Sequence, residues 1–160
     1  MTAPASNLPL EEQTPGVLLR LLLWGEARGE MDNQRDLDAR GMYAVGRVAL
    51  NRSHYSRWKN MTLRDVILEP KQFSCFNQDD PNRFKLLHAP SIEPLSWARA
   101  DAVGDLLEWL SEDTTHGATH YVVSGMWGKP GRGWYQDQEI LAGRTMLKAT
   151  IGHHSFATAA

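Results

Sequence analysis

The residue most able to do chemistry is Glu26, in the run Gly25-Glu26-Ala27-Arg28-Gly29-Glu30 that follows Leu21-Leu22-Leu23-Trp24. A carboxylate seated among Leu and Trp must find a partner or stay protonated. Two roles follow: a salt bridge to Arg28 or another arginine, or a general acid kept protonated by its apolar seat. Gly25 beside it leaves room for a substrate to lie against the backbone. Glu30, four residues on, shares the Glu26 face if the helix continues past Gly29. A pair would matter, because glycosidic hydrolysis uses two carboxyl groups about 5–5.5 Å apart for retention or about 6.5–9.5 Å apart for inversion. Glu30 reads first as a solvated helix-end charge. His116 and His120 frame His-Gly-Ala-Thr-His. With His153 or His154 they would make three zinc ligands. Gly117 and Thr119 oppose the helix such a motif needs, however, and its intervening glutamate is missing. A polar cleft residue or a bonded core histidine is the plainer reading of His120. Cys75 is either a nucleophile or a small buried apolar residue.

These side chains need elements to hold them. Thr14-Pro15 opens a helix as N-cap and first helical residue. The helix runs to about Gly29, apolar on nearly every side, so it belongs in the middle of the domain. Asp32 to Asp38 reads as a polar loop, and Ala39 to Ser53 as a helix with Met42, Val45, Val48 and Ala49 on one face. Thr62-Leu63-Arg64-Asp65 starts a short helix that Pro70 ends. Lys71 to Asn77 reads as a strand or hairpin arm, Gln78 to Pro94 as a long loop, and Leu95 to Leu110 as a helix. Ala118 to Val123 is β-branched and aromatic enough for a strand, Gly125 to Gly133 is a glycine-rich loop, and Met146 to Phe156 makes two strands broken at Gly152. The expected class is α+β and mainly α-helical, with a small sheet. Trp24, Trp97 and Trp109 fall on helices as packing residues. Trp127 and Trp134 lie in or beside the glycine-rich loop, placed for sugar stacking or loop anchoring.

Composition sets the outer bounds. A chain of 160 residues, 42% hydrophobic and 22% charged, suits one globular domain. We read 1–13, with Pro4 and Pro9, as a flexible arm and 14–160 as the single domain. Lys+Arg 17 against Asp+Glu 19 leaves a net charge of −2, which argues against a nucleic-acid binder held by bulk charge. One cysteine excludes an intrachain disulfide framework. The longest apolar run, Val17 to Trp24, is interrupted by Arg20 and falls short of the roughly 20 residues that span a bilayer. Residues 1–13 lack the basic start of a secretion signal. The expectation is a cytoplasmic product with no stable membrane insertion, acting as a monomer.

Taken in order, several stretches resemble the cell wall hydrolases of the SleB/CwlJ type, known from spore-cortex-lytic enzymes and phage lysins. They are Gly25 to Glu30, Ala44-Val45 with Val48 and Asn51-Arg52, Asp65-Val66-Ile67, Pro70 with Gln72-Phe73-Ser74-Cys75, Gly117-Ala118-Thr119-His120-Tyr121, and Thr150-Ile151-Gly152 with His154 and Phe156. The resemblance spans Val17 to Phe156. It implies a lysozyme-like fold with a small antiparallel sheet, a peptidoglycan substrate, no cofactor or metal, and Glu26 as the catalytic acid. It also implies that Gln72, Phe73 and Ser74 belong to a hairpin beside the cleft, with Thr119, His120 and Tyr121 opposite. Two departures concern the far cleft edge. The tryptophan after the His-Tyr motif is Trp127 or Trp134, because Gly128 to Ala142 reads as an insertion, and Phe156 is followed by Ala157 instead of tyrosine.

The implied reaction is lytic transglycosylation between MurNAc and GlcNAc, which needs one carboxyl group because the substrate supplies its own nucleophile. Other readings are a muramidase using water, with Glu30 or another carboxylate in the cleft, a zinc amidase or peptidase built on His116 and His120, and a catalytically silent glycan-binding domain. A phage endolysin released from the host cytoplasm through a holin is the expected setting.

Overall fold

The computed structural model describes residues 2–5, 7–28, 39–55, 57–131 and 133–159. Glu30 and the expected polar loop 32–38 lie outside the described residues. Helix α1, Pro15–Ala27, begins as its sequence requires: the Thr14 hydroxyl accepts from Val17 N–H at 3.3 Å. Every residue from Val17 to Trp24 is buried, because α2 (Arg40–Arg52), α3 (Leu63–Leu68) and α5 (Pro94–Trp109) all pack around α1. Gly46 makes this possible on α2, since a Cβ there would come within 2.3 Å of Leu107 and 3.0 Å of Leu23. Helix α3 carries a full capping box between Thr62 and Asp65.

The polar member of the buried run, Arg20, is 1% exposed. Its guanidinium meets Asp101 at 2.9 Å, Glu108 at 2.7 Å and Asp105, and donates to Gly16 O at 3.0 Å. All three carboxylates stand on α5, so the charge that breaks the apolar pattern fastens α1 to α5. Residues 2–5 and 7–13 are tied to the same body. Leu10 is buried, Gln13 donates to the carbonyls of Ala5 and Leu8, and Glu11 pairs with Arg83.

Three expectations change. Lys71 to Asn77 forms no strand. Lys71 has φ 64°, Asn77 Oδ1 accepts from Lys71 N–H at 2.9 Å, and Ser74–Phe76 is a 3-10 turn, so the backbone is satisfied within the segment. The loop expected over 78–94 is largely helical, with a 3-10 stretch Arg83–His88 and the single turn α4, Ala89–Ile92, anchored by buried Leu86 and Ala89. Trp109 is 86% exposed, not packed. The buried face of α5 follows Trp97, Ala100, Val103, Gly104 and Leu107, and Trp109 in the last turn points away from it.

The sheet is antiparallel, in the order β1-β3-β2, from β1 (His120–Val123), β2 (Thr145–Ile151) and β3 (His154–Ala159). A short helix α6, Asp137–Leu141, precedes β2. Tyr121 sits opposite Phe156, and a register shift interrupts the β2–β3 pairing between Leu147 and Ala149. The fold is mainly α-helical α+β, as expected. Phe156 and Ala118 join the helical core from the sheet side, so one core reaches from the helices to the strands.

Candidate active site

Helix α1 delivers Glu26 in its last turn, half-buried and facing a cavity of about 390 Å³. Three donors meet the carboxylate. Ser74 Oγ and Cys75 N–H donate to Oε1 at 2.9 Å each, and the Tyr121 hydroxyl donates to Oε2 at 2.9 Å. No arginine pairs with Glu26 among the described residues. Arg28 instead lies over the Trp24 ring at 4.3 Å and reaches Glu93 at 3.7 Å.

Gly25 holds the 3-10 turn against α1. A Cβ on Gly25 would stand 2.6 Å from Cys75 Sγ and 2.7 Å from Cys75 Cβ. The space beside Glu26, expected to admit substrate, is thus filled by Cys75, whose backbone N–H can then reach the carboxylate. Burial, and after it the Glu26 charge, pushes the Cys75 thiol well above its ordinary value, so the side chain is a neutral packing group. The same two causes raise the Tyr121 phenol, which stays a protonated donor.

The opposite ends of the cavity are joined by Asn51 and Arg52, at the end of α2. Asn51 Nδ2 donates to Ala118 O at 2.9 Å, with Thr115 Oγ1 and Asp113 Oδ2 each at 3.1 Å. Asp113 also accepts from the Thr115 and Gly117 N–H groups and from the Thr115 hydroxyl. These bonds hold its carboxyl below the usual range against the opposing effect of burial. Arg52 Nε donates to Thr119 O at 2.7 Å, and its guanidinium stacks over Phe73 at 4.6 Å and Trp58 at 5.1 Å. One helix end therefore sets both the entry of β1 and the 71–76 segment.

Among the described residues, the cavity lining holds Glu26, Gln72, Ser74, His120 and Tyr121, together with Arg52, Arg57, Lys71, Asn77 and Trp134. Phe73 lies beneath, 1% exposed, and buried Thr119 bonds to His120 Nδ1 at 2.9 Å. The His120 ring lies 6.0 Å from Trp58 and 5.0 Å from Trp134. Burial, reinforced by the charges of Arg52 and Arg57, lowers its pKa to about 4. It is a neutral imidazole at neutral pH. Trp134, not Trp127, reaches the lining, with the Trp127 ring 6.3 Å behind it. His116 stands in a turn with φ 53°, and among the described residues no three His, Cys, Asp or Glu side chains gather as a metal site.

The segments that build this socket also carry a family signature: a cell wall hydrolase model matches residues 38–157. The chain belongs to the cell wall hydrolase family. Comparison with curated proteins and with solved structures finds no match. Family membership makes the protein an enzyme of the cell wall, with peptidoglycan as its substrate. No described helix is long and apolar enough to cross a membrane. The matched stretch begins downstream of Glu26, so the hydrolase signature covers all three donors to the carboxylate while α1 supplies the carboxylate itself.

Several lining residues of this cell wall hydrolase escaped the sequence reading. Arg52 carried a usable signal: it belongs to the Asn51-Arg52 match and closes an amphipathic helix, but no cleft role was read from it. Arg57, Lys71 and Asn77 carried none, since isolated polar residues in irregular segments are ordinary surface.

Proposed function

We propose that this cell wall hydrolase cleaves the β-1,4 bond between MurNAc and GlcNAc as a lytic transglycosylase, with Glu26 as general acid and then base. The supporting observation is a single carboxylate, among the described lining residues, held by three neutral donors at the cavity wall. Protonated Glu26 gives its proton to the glycosidic oxygen as the bond from that oxygen to the muramoyl C1 breaks and positive charge develops at C1. The Glu26 carboxylate then takes the proton of the muramoyl C6 hydroxyl, whose oxygen closes on C1 to give a 1,6-anhydro end. Protons and electrons balance without water or a second carboxylate. Cys75 N–H, Ser74 and Tyr121 keep the carboxyl pointed at one place through both halves of the cycle. Gln72, Ser74, His120 and Tyr121 face the glycan with Trp134 as the stacking surface, while Phe73 and Thr119 support this wall from beneath and Trp127 backs Trp134.

The test is Glu26→Gln, a nearly isosteric change. We expect wall lysis to fall by about 10²–10⁴-fold with the thermal transition unchanged, and a folded variant with full activity refutes the role of Glu26. Mass spectrometry of the wild-type products decides the outcome of the bond cleavage. Ends lighter by one water are anhydromuramoyl, whereas reducing ends mean that water is the nucleophile. Free stem peptides would point to an amidase. The setting we assign is that of a phage endolysin passing from the host cytoplasm to the wall through a holin, which predicts lysis of expressing cells only when a holin is present.

A further inference from the structure

The cavity that holds Glu26 is electrically one-sided. Among its described lining residues Arg52, Arg57 and Lys71 are cationic and Glu26 is the one anion. One carboxylate against three cations leaves an excess of positive charge facing the substrate.

Arg52 is the telling member. It lines the cavity although only 4% of it is exposed, and it forms no ion pair among the described residues. Its Nε is used on Thr119 O. Its Nη1 makes two long contacts with Gln72, at 3.4 and 3.5 Å, and its Nη2 has no hydrogen-bond partner among the described residues. A buried guanidinium ordinarily finds a carboxylate or phosphate for its outer nitrogens. Arg57 is 61% exposed at its side chain, and its nearest carboxylate, Glu69 at 3.6 Å, is also bonded to Trp58 Nε1 at 2.7 Å. Lys71 is exposed.

We infer that Arg52, Arg57 and Lys71 form a subsite for a carboxylate carried by the glycan beside the bond that is cut. This rests on the glycosidase reading and deepens it. Every muramoyl residue offers such a group. In peptide-free strands it is the lactyl carboxylate, and in peptide-bearing strands the lactyl group is an amide and the stem peptide carries the carboxylates. The ligand chemistry is the same in both. The subsite therefore separates muramoyl glycan from neutral glucosamine polymers by charge, where the stacking surface of Trp134 would accept either.

The experiment compares kcat/KM on peptide-free strands with free lactyl carboxylates and on the same strands with those groups converted to neutral methylamides. For the wild type we expect a preference of about tenfold for the charged strands, of the size that two exposed charge pairs and one to buried Arg52 supply, and smaller at high salt. In the double variant Arg57→Ala/Lys71→Ala the ratio falls by about threefold toward one, and the preference that remains belongs to Arg52. Mere structural damage lowers both values and leaves their ratio intact. Equal rates on the two strands for the wild type, or an unchanged ratio in the double variant, overturn the subsite while the glycosidase reading stands. Cleavage of neither strand overturns both. Intact peptide-bearing strands form the third arm: a higher kcat/KM than on peptide-free strands assigns the contact to stem carboxylates, and a lower one to the lactyl group.

Discussion

Gly25→Ala tests the central joint of the site. In a helix interior, exchanging glycine for alanine ordinarily stabilises by about 1 kcal/mol, because glycine loses more backbone freedom on folding. Here the new methyl would stand 2.6 Å from Cys75 Sγ and 2.7 Å from Cys75 Cβ. Ordinary contact is about 3.5–4.0 Å, so the Ser74–Phe76 turn must retreat by about 1 Å. Cys75 is 2% exposed and backed by the core, and overpacking such a site costs about 1–3 kcal/mol. The clash therefore outweighs the propensity gain in most of that range, and the net loss of about 0–2 kcal/mol lowers Tm by roughly 0–8 °C. Activity is the sharper readout. The same 1 Å retreat stretches the 2.9 Å bond from Cys75 N–H to Glu26 beyond hydrogen-bonding range and carries Ser74 with it. A misplacement of that size costs about 10²-fold in rate. Thermal melts and lysis of purified walls would be compared for Gly25→Ala, Cys75→Gly and the pair, because Cys75→Gly removes both atoms that the methyl meets. We expect the double variant to recover activity relative to Gly25→Ala alone, a positive coupling in the double-mutant cycle. A Gly25→Ala protein that melts higher than wild type and retains full activity refutes the close packing of the turn on α1 as the source of the Glu26 geometry.

Asn51→Ala leaves Ala118 O and the Asp113–Thr115 group short of a buried donor, and we expect a loss of about 1–3 kcal/mol, read by urea denaturation. His120 gives a pH signature. Its folded pKa, about 4, lies below the unfolded value near 6.5, so the unfolded chain binds the extra proton first. Stability should fall as pH drops from about 6.5 to about 4, and His120→Gln should flatten that part of the profile. Asp113 acts lower, with the folded value depressed, so its contribution is present above pH 4 and is lost as acid carries the pH through the folded value. Trp134→Ala should raise KM for glycan several-fold, by the roughly 0.5–1.5 kcal/mol that a lost aromatic contact is worth, and more than Trp127→Ala does.

Where the sequence reading succeeded, one local rule decided the outcome. Thr14-Pro15 and the Thr62-Asp65 box have no competing partner, and the helices begin there. The continuous apolar run of α1 has only one place to go, the centre. Glu26 was legible because a lone carboxylate in such a run is costly wherever it lies. Reading failed where tertiary partners choose among local options. Phe73 and Phe76 suit a strand, but Asn77 closes the segment on Lys71, and among the described residues no strand pairs with it. Trp109 continues an apolar pattern whose last turn lies beyond the body it packs on. Trp134 and Trp127 are indistinguishable by spacing, and only the path of the glycine-rich loop puts one of them in front.

The division of labour between the two parts of the chain explains why Glu26 depends on so many remote contacts. The acid rides on α1, while its donors come from the 74–75 turn and from β1, both held by α2 through Asn51 and Arg52. An error in the angle between α1 and α2 would move the carboxylate relative to all its donors together. Gly46 on α2 lets that helix close on Leu23 of α1 and Leu107 of α5, while Arg20 separately ties α1 to three carboxylates of α5. Gly46→Ala, 20 residues from Glu26 in sequence, would press a methyl to 2.3 Å from Leu107 and touch no part of the described cavity lining. Leu107 is a flexible side chain, so part of the strain is relieved there and the rest tilts α2. The expected result is a folded protein with reduced kcat, in which Glu26 has lost its bonds to Tyr121 and Cys75 together. A crystal structure of that variant with both bonds intact would show that the helix pair does not govern the site.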